Sequence, residues 1–391
     1  MTEDSIRFLH ISDTHLGVHY ALRPRNLLRR AYGELFFRKV EEVINEAISV
    51  HNVDFIIHSG DFFNRSKPPP EVIDRGVNPF QLAARKGIPI YIIPGNHERS
   101  KLPLGLLPFS EDNINLFAEP CSYLFEKNGI TIKITGFPHV RYNVREKSPE
   151  ILKKAWHSLV GKDTPRHDYS ILAIHELLEG SRIESHTFRR GHEVLPLAQI
   201  PRRFNCIACG HVHRFQFLYN TGASALRSTN RLRALKQHCE EHNWHFHDDS
   251  RSRFPDPVIS YAGSLERVSI AEKNEPKGYI IGELEPSDTE HRTLTAKYQF
   301  YEIPAVKMIY GIWDLSESSM DDYAAQTLEE IYKIQPTPGS YMKEESLTGI
   351  IRIRIKGKGF RDANCLDYLR QEAKRLRFYL TIREDWKSID R

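Results

Sequence analysis

The chain has 391 residues, of which 40% are hydrophobic and 27% charged, so extended disorder is excluded and one dominant domain with a smaller companion is expected. Lys and Arg outnumber Asp and Glu by 55 to 51, a net charge of +4 that leans towards a polyanionic partner without deciding one. Five cysteines make no disulfide framework, the opening MTEDSIRFLH is too acidic for a signal peptide, and no apolar run approaches the roughly 20 residues of a membrane span, so the expectation is an intracellular protein, cytoplasmic if prokaryotic, with no membrane.

In chain order, Ile6 to Ile11 reads as a short buried strand, and Phe36, Val40, Val43, Ile44 and Ala47 recur at the spacing of one helical face within Asn26 to Val50. Val53 to Ser59 (VDFIIHS) and Ile88 to Pro94 (IPIYIIP) are further apolar strand runs, with a helical stretch expected around Pro79 to Lys86. Strands alternating with helices imply a mainly parallel, buried sheet. Ser170 to Ile174 (SILAI) and Asn205 to Cys209 (NCIAC) add strands to the same core, while Thr131 to Pro138 and Val258 to Ala262 suggest a second sheet. From about Tyr301 the order becomes strand, helix (Met320 to Ile334), a PTPGS turn, strand (Gly349 to Ile355), helix (Ala363 to Arg375) and strand (Phe378 to Ile382). The expected division is therefore a domain over 1–300, carrying a polar insertion at about 220–257 on its site-bearing face, and a small α/β domain over 301–391.

Five of these runs end in polar motifs: Asp13 and His15 in SDTH, Asp61 in SGD, Asn96 and His97 in PGNHE, His175 in AIHE, and His211 and His213 in CGHVH. Ligand sites in open α/β sheets lie outside the carboxyl ends of the strands, so the motifs should converge. Carboxylate, amide and imidazole donors without a thiolate suit Mn²⁺, Fe²⁺ or Mg²⁺ in a catalytic site better than structural zinc. If the chain stays extended, Asp13 with His15 and His211 with His213 each project from one side of a strand end. Asp61 has two oxygens and can bridge two ions. Gly60, Gly95 and Gly210 each precede a candidate ligand, where a side chain could obstruct substrate. One histidine at a strand end is ordinarily structural; five strand ends drawing on one ligand vocabulary point to a metal site.

The order DTH, GD, GNHE, H, GHVH resembles the signature of the calcineurin-like metallophosphoesterases. Within that superfamily, HISDTHLG, IPIYIIPGNHE, GHVHRFQ, YAGSLERVS and KGYIIGEL resemble the SbcD-type DNA repair exonucleases, called meiotic-recombination-eleven nucleases in eukaryotes, over roughly residues 5–285 apart from the insertion. The resemblance implies an α/β fold, a metallophosphoesterase β-sandwich flanked by helices (αββα), with the small C-terminal α/β domain as a capping domain. It implies two divalent ions, Mn²⁺ first, with Mg²⁺ or Fe²⁺ as alternatives. One ion would be held by Asp13, His15, Asp61 and His213, the other by Asp61, Asn96, His175 and His211. His97 would be the catalytic histidine that protonates the leaving 3′ oxygen or stabilises transition-state charge. The implied activity is DNA phosphodiester hydrolysis, exo or endo, in double-strand-break repair or end processing, with DNA as substrate, an SMC-like ATPase of the SbcC type as partner, and homodimerisation. A phosphomonoesterase or cyclic-nucleotide phosphodiesterase would use the same metals. Two positions depart from the nuclease pattern: Asn64 stands where a histidine often follows the bridging aspartate, and Glu98 where Asp is common.

Arg23, Arg25, Arg29 and Arg30 follow the first motif and are the candidate DNA-phosphate contacts, with Arg189, Arg190, Arg202 and Arg203 as further basic positions near the later motifs; a solvated charged surface is the alternative. In the insertion, Arg227, Arg231, Arg233 and Lys236 precede HCEEHNWHFHDD, in which Trp244 and Phe246 could stack on a base and whose histidines meet no standard metal spacing. Cys206 and Cys209 form a CxxC, but three residues along a strand place the thiols on opposite faces, so both are assigned to the core.

Overall fold

The computed structural model describes residues 5–19, 27–98, 113–159, 166–183, 186–219, 245–248, 257–288, 293–334, 347–359 and 362–388. The chain divides into two compact units, one of Met1–Val18, Phe36–Glu266 and Pro276–Ile303, the other of His19–Leu35, Arg267–Glu275 and Pro304–Arg391.

The first unit holds two mixed sheets. In one, Ile6–Ile11, Phe55–His58, Ile90–Ile92 and Ile114–Leu116 run parallel in that order. Lys277–Asp288 pairs antiparallel with Ile6–Ile11, followed by Thr293–Ile303 and an edge strand His245–Asp248. In the other, Ile130–Gly136, Tyr169–Ile174, Cys206–Cys209 and Val258–Tyr261 run parallel, with antiparallel edges Cys121–Lys127 and Gln216–Tyr219. The five ligand-bearing strands thus divide three and two between the sheets. Each lies in a parallel run, which brings its carboxyl end to the same edge as its neighbours'.

A single apolar cluster contains Phe8, Phe55, Ile57, Tyr91 and Ile93 from the first sheet and Ile132, Ile134, Ile171, Ala173, Cys206 and Ala208 from the second, so the sheets face each other across it. The alternate residues Leu172, Ile174, Ile207, Cys209 and Tyr261 join Val144 and Leu152 of the helix Val144–His157 in another cluster. Cys206 and Cys209 therefore do fall on opposite faces, both fully buried. This α/β sandwich with flanking helices is the architecture expected from the motif order.

Two elements differ from the sequence reading. The helix expected at Pro79 spans Pro70–Arg85, and Pro79 sits inside it. Pro70 occupies the first turn, where its missing N–H costs nothing, and the buried face Val72, Val77, Phe80, Ala83 and Ala84 holds the helix through the one backbone bond that Pro79 lacks. The part of the insertion that is described, His245–Asp248, is a strand. Arg227, Arg231, Arg233, Lys236 and Trp244 lie outside the described residues, as does the PTPGS turn.

The second unit carries a three-stranded parallel sheet of Lys307–Asp314, Gly349–Gly359 and Phe378–Ser388, in chain order. Its two connections run through the helices Met320–Lys333 and Ala363–Arg375, whose buried faces pack with Ile309, Trp313, Ile351, Ile353 and Ile355. Side-chain caps start both helices: Ser319 accepts from Asp322 N and Asp362 from Asn364 N and Cys365 N.

Phe8 stacks on Phe55 at 5.1 Å and meets Tyr298 edge-on at 6.3 Å, and a Cβ on Gly282 would lie 2.3 Å from its ring. Phe8→Ala is expected to lower the unfolding free energy by about 3–5 kcal/mol through the cavity it opens, measured by urea denaturation.

Candidate metal centre

Beyond the last paired residues of Ile6–Ile11 and Phe55–His58, backbone bonds continue between the two loops: Asp13 N to Gly60 O (2.9 Å), His15 N to Asp61 O (3.0 Å) and Leu16 N to Phe62 O (2.9 Å). The loops do not stay extended. Asp13, His15, Asp61 and His211 all take positive φ, at 51°, 44°, 52° and 87°, a conformation that costs a residue with a Cβ about 1–3 kcal/mol. Convergence of Asp13 with His15 therefore comes from left-handed turns and not from the two-residue period of a strand.

The glycines before the ligands make room for other ligand loops and not, as the sequence suggested, for substrate. A Cβ on Gly60, at φ +100°, would lie 2.2 Å from His175 Nδ1; one on Gly95 would lie 2.3 Å from Asp61 Oδ1; one on Gly210 would lie 2.0 Å from Ser59 O.

Seven predicted donors collect in two groups. Asp13, His15, Asp61 and His213 place one ligand atom each within 4.8 Å of one another, with His15 Nε2 2.9 Å from His213 Nε2. In the other group Asn96 Oδ1 lies 2.9 Å from His175 Nε2 and 2.8 Å from His211 Nδ1. Asp61 stands between them: Oδ2 is 3.7 Å from His15 Nε2, and Oδ1 is 3.5 Å from His175 Nε2. Donors about 2 Å from one ion lie within roughly 4–5 Å of each other, so the first group fits a divalent ion, and the second adds the Asn96 amide oxygen to imidazole and carboxylate at similar spacing. His175 Nδ1–H donates to Ser59 O at 2.8 Å, which leaves the Nε2 lone pair of the neutral ring for a metal. Asp13 is oriented by the His211 backbone N–H, 3.1 Å from Oδ1.

Burial pushes the Asp13 carboxyl up, against the pull of His175 and His213. Burial would raise Asp61 too, yet His175, His15 and His97 hold it well below the usual carboxylate range. Asp61 and Asp13 in return raise His175 against its own burial, whereas burial takes His211 down to about 3. The two carboxylates thus favour the protonated form of His175, and His175 in turn favours the ionised form of Asp61.

The family described as calcineurin-like phosphoesterase matches residues 6–215, more than half of the chain. The chain belongs to the calcineurin-like phosphoesterase family. It is 29% identical over 289 residues to the DNA double-strand break repair protein Mre11 of Methanococcus maripaludis, spanning 71% of this chain and 63% of that one. To the Mre11 of Saccharolobus solfataricus it is 29% identical over 213 residues, 53% of this chain and 49% of that one. This phosphoesterase therefore spans between about half and just under two thirds of the length of these relatives. A solved dimetal phosphatase from Danio rerio aligns with a TM-score of 0.38 and 11% identity over 76% of this chain and 98% of that one, a likeness that carries no argument. Membership in the family implies divalent metal ions, and no helix among the described residues is long and apolar enough to cross a membrane.

Other predicted residues are placed as follows. His97 Nδ1 lies 2.9 Å from Asn64 O, a carbonyl that only accepts, and His97 Nε2 lies 3.8 Å from Asp61 Oδ2. Asn64 thus enters the phosphoesterase site through its backbone. Glu98 is buried and accepts from Phe63 N (2.9 Å) and Gly95 N (2.7 Å), tying two ligand loops together, with burial and Asp61 raising its carboxyl to about 8. Tyr261 donates to Glu176 O and accepts from Leu178 N, bracing the segment after His175, and Glu266 forms a buried 2.8 Å pair with Lys39 of the helix Leu27–Ser49. Arg29 and Arg30 lie exposed on the first turn of the helix Leu27–Ser49, with Arg30 3.6 Å from Glu34, whereas Arg23 and Arg25 lie outside the described residues. Arg189 and Arg190 line an open groove of about 310 Å³ with Arg145 and Glu179, and Arg203 lies over the Trp156 ring at 4.8 Å.

Two residues escaped the sequence reading. Lys277, 1% exposed, donates to His213 O (2.9 Å) and Ser264 Oγ (2.8 Å) and so fixes the backbone of a first-group donor. His139 contacts the second group, and its signal was available: FPHV follows the strand Ile130–Gly136 as the other motifs follow theirs.

Gly210→Ala is expected to weaken Mn²⁺ binding and to destabilise the fold by about 1–3 kcal/mol, read by metal titration and thermal melting, since the methyl group meets the Ser59 carbonyl on which His175 depends. Metal must also displace the proton that Asp61 keeps on His175. Apparent metal affinity should rise with pH, by about tenfold per unit for one displaced proton, until the raised pKa of His175 is passed. Calorimetry in buffers of different ionisation enthalpy measures the released proton.

Proposed function

We propose that this phosphoesterase is a metal-dependent DNA nuclease, hydrolysing phosphodiester bonds at a two-metal centre in double-strand-break repair or DNA-end processing. The observation that carries the two-metal reading is the Asp61 carboxylate, which offers one oxygen to each donor group. Asp13, His15, Asp61 and His213 would hold one ion, and Asp61, Asn96, His175 and His211 the other. When bound, the two ions, Mn²⁺ in preference to Mg²⁺ or Fe²⁺, supply Lewis-acid charge to the phosphate and to the in-line transition state.

The chain's own residues supply the rest. His97 has Nδ1 committed to Asn64 O, so Nε2 is the nitrogen that gives a proton to the leaving 3′ oxygen, from the doubly protonated ring, or that stabilises charge as the bond breaks. His15, Asp13 and His175 are themselves almost fully buried, which strengthens the charge interactions among the donors. DNA as substrate is supported by the Mre11 relatives, which are named for double-strand break repair. Arg29 and Arg30 are proposed phosphate contacts together with Arg23 and Arg25. Further parts of the same reading are a division at about residue 300 with 301–391 as a capping domain, an SMC-like ATPase partner of the SbcC type, and homodimerisation.

The test is cleavage of labelled linear and circular DNA, single-stranded and duplex, in Mn²⁺, beside p-nitrophenyl phosphate mono- and diesters and an Asp61→Ala control. DNA cutting that falls by at least about 10³-fold in the mutant is the expected result. Ester hydrolysis with intact DNA would replace the nuclease by a small-molecule phosphomonoesterase or cyclic-nucleotide phosphodiesterase.

A further inference from the structure

We propose that His139 is a positioning residue for the second donor group, tying together the three loops that carry Asn96, His175 and His211 and so setting the geometry at which those donors meet one ion. This rests on the two-metal reading above. His139 follows the strand Ile130–Gly136, which pairs parallel with Tyr169–Ile174 and therefore delivers its carboxyl end beside His175.

Its backbone and side chain reach a different loop each. The backbone N–H donates to Pro94 O at 2.9 Å, immediately before Gly95 and Asn96. Nδ1 lies 2.8 Å from His175 O; a carbonyl only accepts, so Nδ1 carries the hydrogen and the tautomer is set. The ring lies nearly parallel to that of His211, 26° apart with centroids at 5.5 Å.

Glu176 reinforces the tie. It is 1% exposed, Oε1 accepts from Val140 N at 2.6 Å, and Oε2 lies 3.4 Å from His139 Nδ1. The loops His139–Val140 and His175–Glu176 are thus cross-linked through both pairs of residues. An aliphatic side chain at 139 could not donate to the carbonyl, an amide could donate but not stack, and a phenyl ring could stack but not donate. Histidine does both. Groups that orient ligands from outside the coordination sphere typically change metal affinity by about 10–100-fold when removed.

The experiment titrates Mn²⁺ into the metal-free full chain and compares wild type with His139→Ala, His139→Asn and His139→Phe, with thermal melting of each metal-free protein alongside. The expected result is that His139→Ala weakens one of two sites by about 10–100-fold and leaves the other within about twofold. His139→Asn, whose amide nitrogen replaces Nδ1 as donor, should recover much of the loss. Equal weakening of both sites, a metal-free melting temperature that falls in step with the affinity, or unchanged affinity would each overturn the proposal. If wild type binds a single ion, the two-metal reading fails first and the role of His139 falls with it. If wild type binds two ions and His139→Ala binds them equally well, only the role of His139 falls.

Discussion

A carboxylate removed from water must be met by positive charge or by hydrogen-bond donors, because its Born penalty in a low-dielectric interior reaches many kcal/mol. Asp61, 2% exposed, is met by both: the His97 backbone N–H donates to Oδ1 at 2.9 Å, and His15, His97 and His175 surround the two oxygens. Those histidines arrive from three separate loops. The loops must therefore be held at fixed positions before any ligand is present, and much of the surrounding structure can be understood as meeting that requirement.

The means are mostly backbone. Parallel strands bring the carboxyl ends to one edge, hydrogen bonds extend the pairing past the last strand residues, and three glycines let chains approach where a methyl group would collide. Left-handed residues at Asp13, His15, Asp61 and His211 store strain of about 1–3 kcal/mol each, in loops held by the Asp13–Gly60 and His15–Asp61 backbone bonds, by Glu98 on Phe63 N and by Lys277 on His213 O. Strain concentrated at donor residues, with rigid support around it, is the pattern expected where geometry has been selected at some cost to stability.

Much of this was legible in the sequence because the signals are local. Short apolar runs ending in Asp, Asn or His announced both the strands and the residues that meet at their ends, and Gly60, Gly95 and Gly210 marked positions where a side chain is not tolerated, although what would collide is another ligand loop and not substrate. What was not legible depended on long-range pairing. The division of five strands between two sheets is set by pairings such as Ile6–Ile11 with Lys277–Asp288, some 270 residues away, which no periodicity reports. Pro79 misled because a proline is a strong local start signal, while the buried face that keeps the helix running through it is a tertiary effect. His139 was passed over although FPHV closes a strand as the other motifs do; the contacts that distinguish it lie with Pro94, His175 and His211.

The bond between His97 and Asn64 runs to a main-chain oxygen. Every residue type carries that oxygen, so the tautomer of the His97 ring does not depend on which side chain stands at position 64. A substitution at position 64 that leaves the backbone in place therefore leaves the hydrogen on His97 Nδ1 and the orientation of the ring as they are.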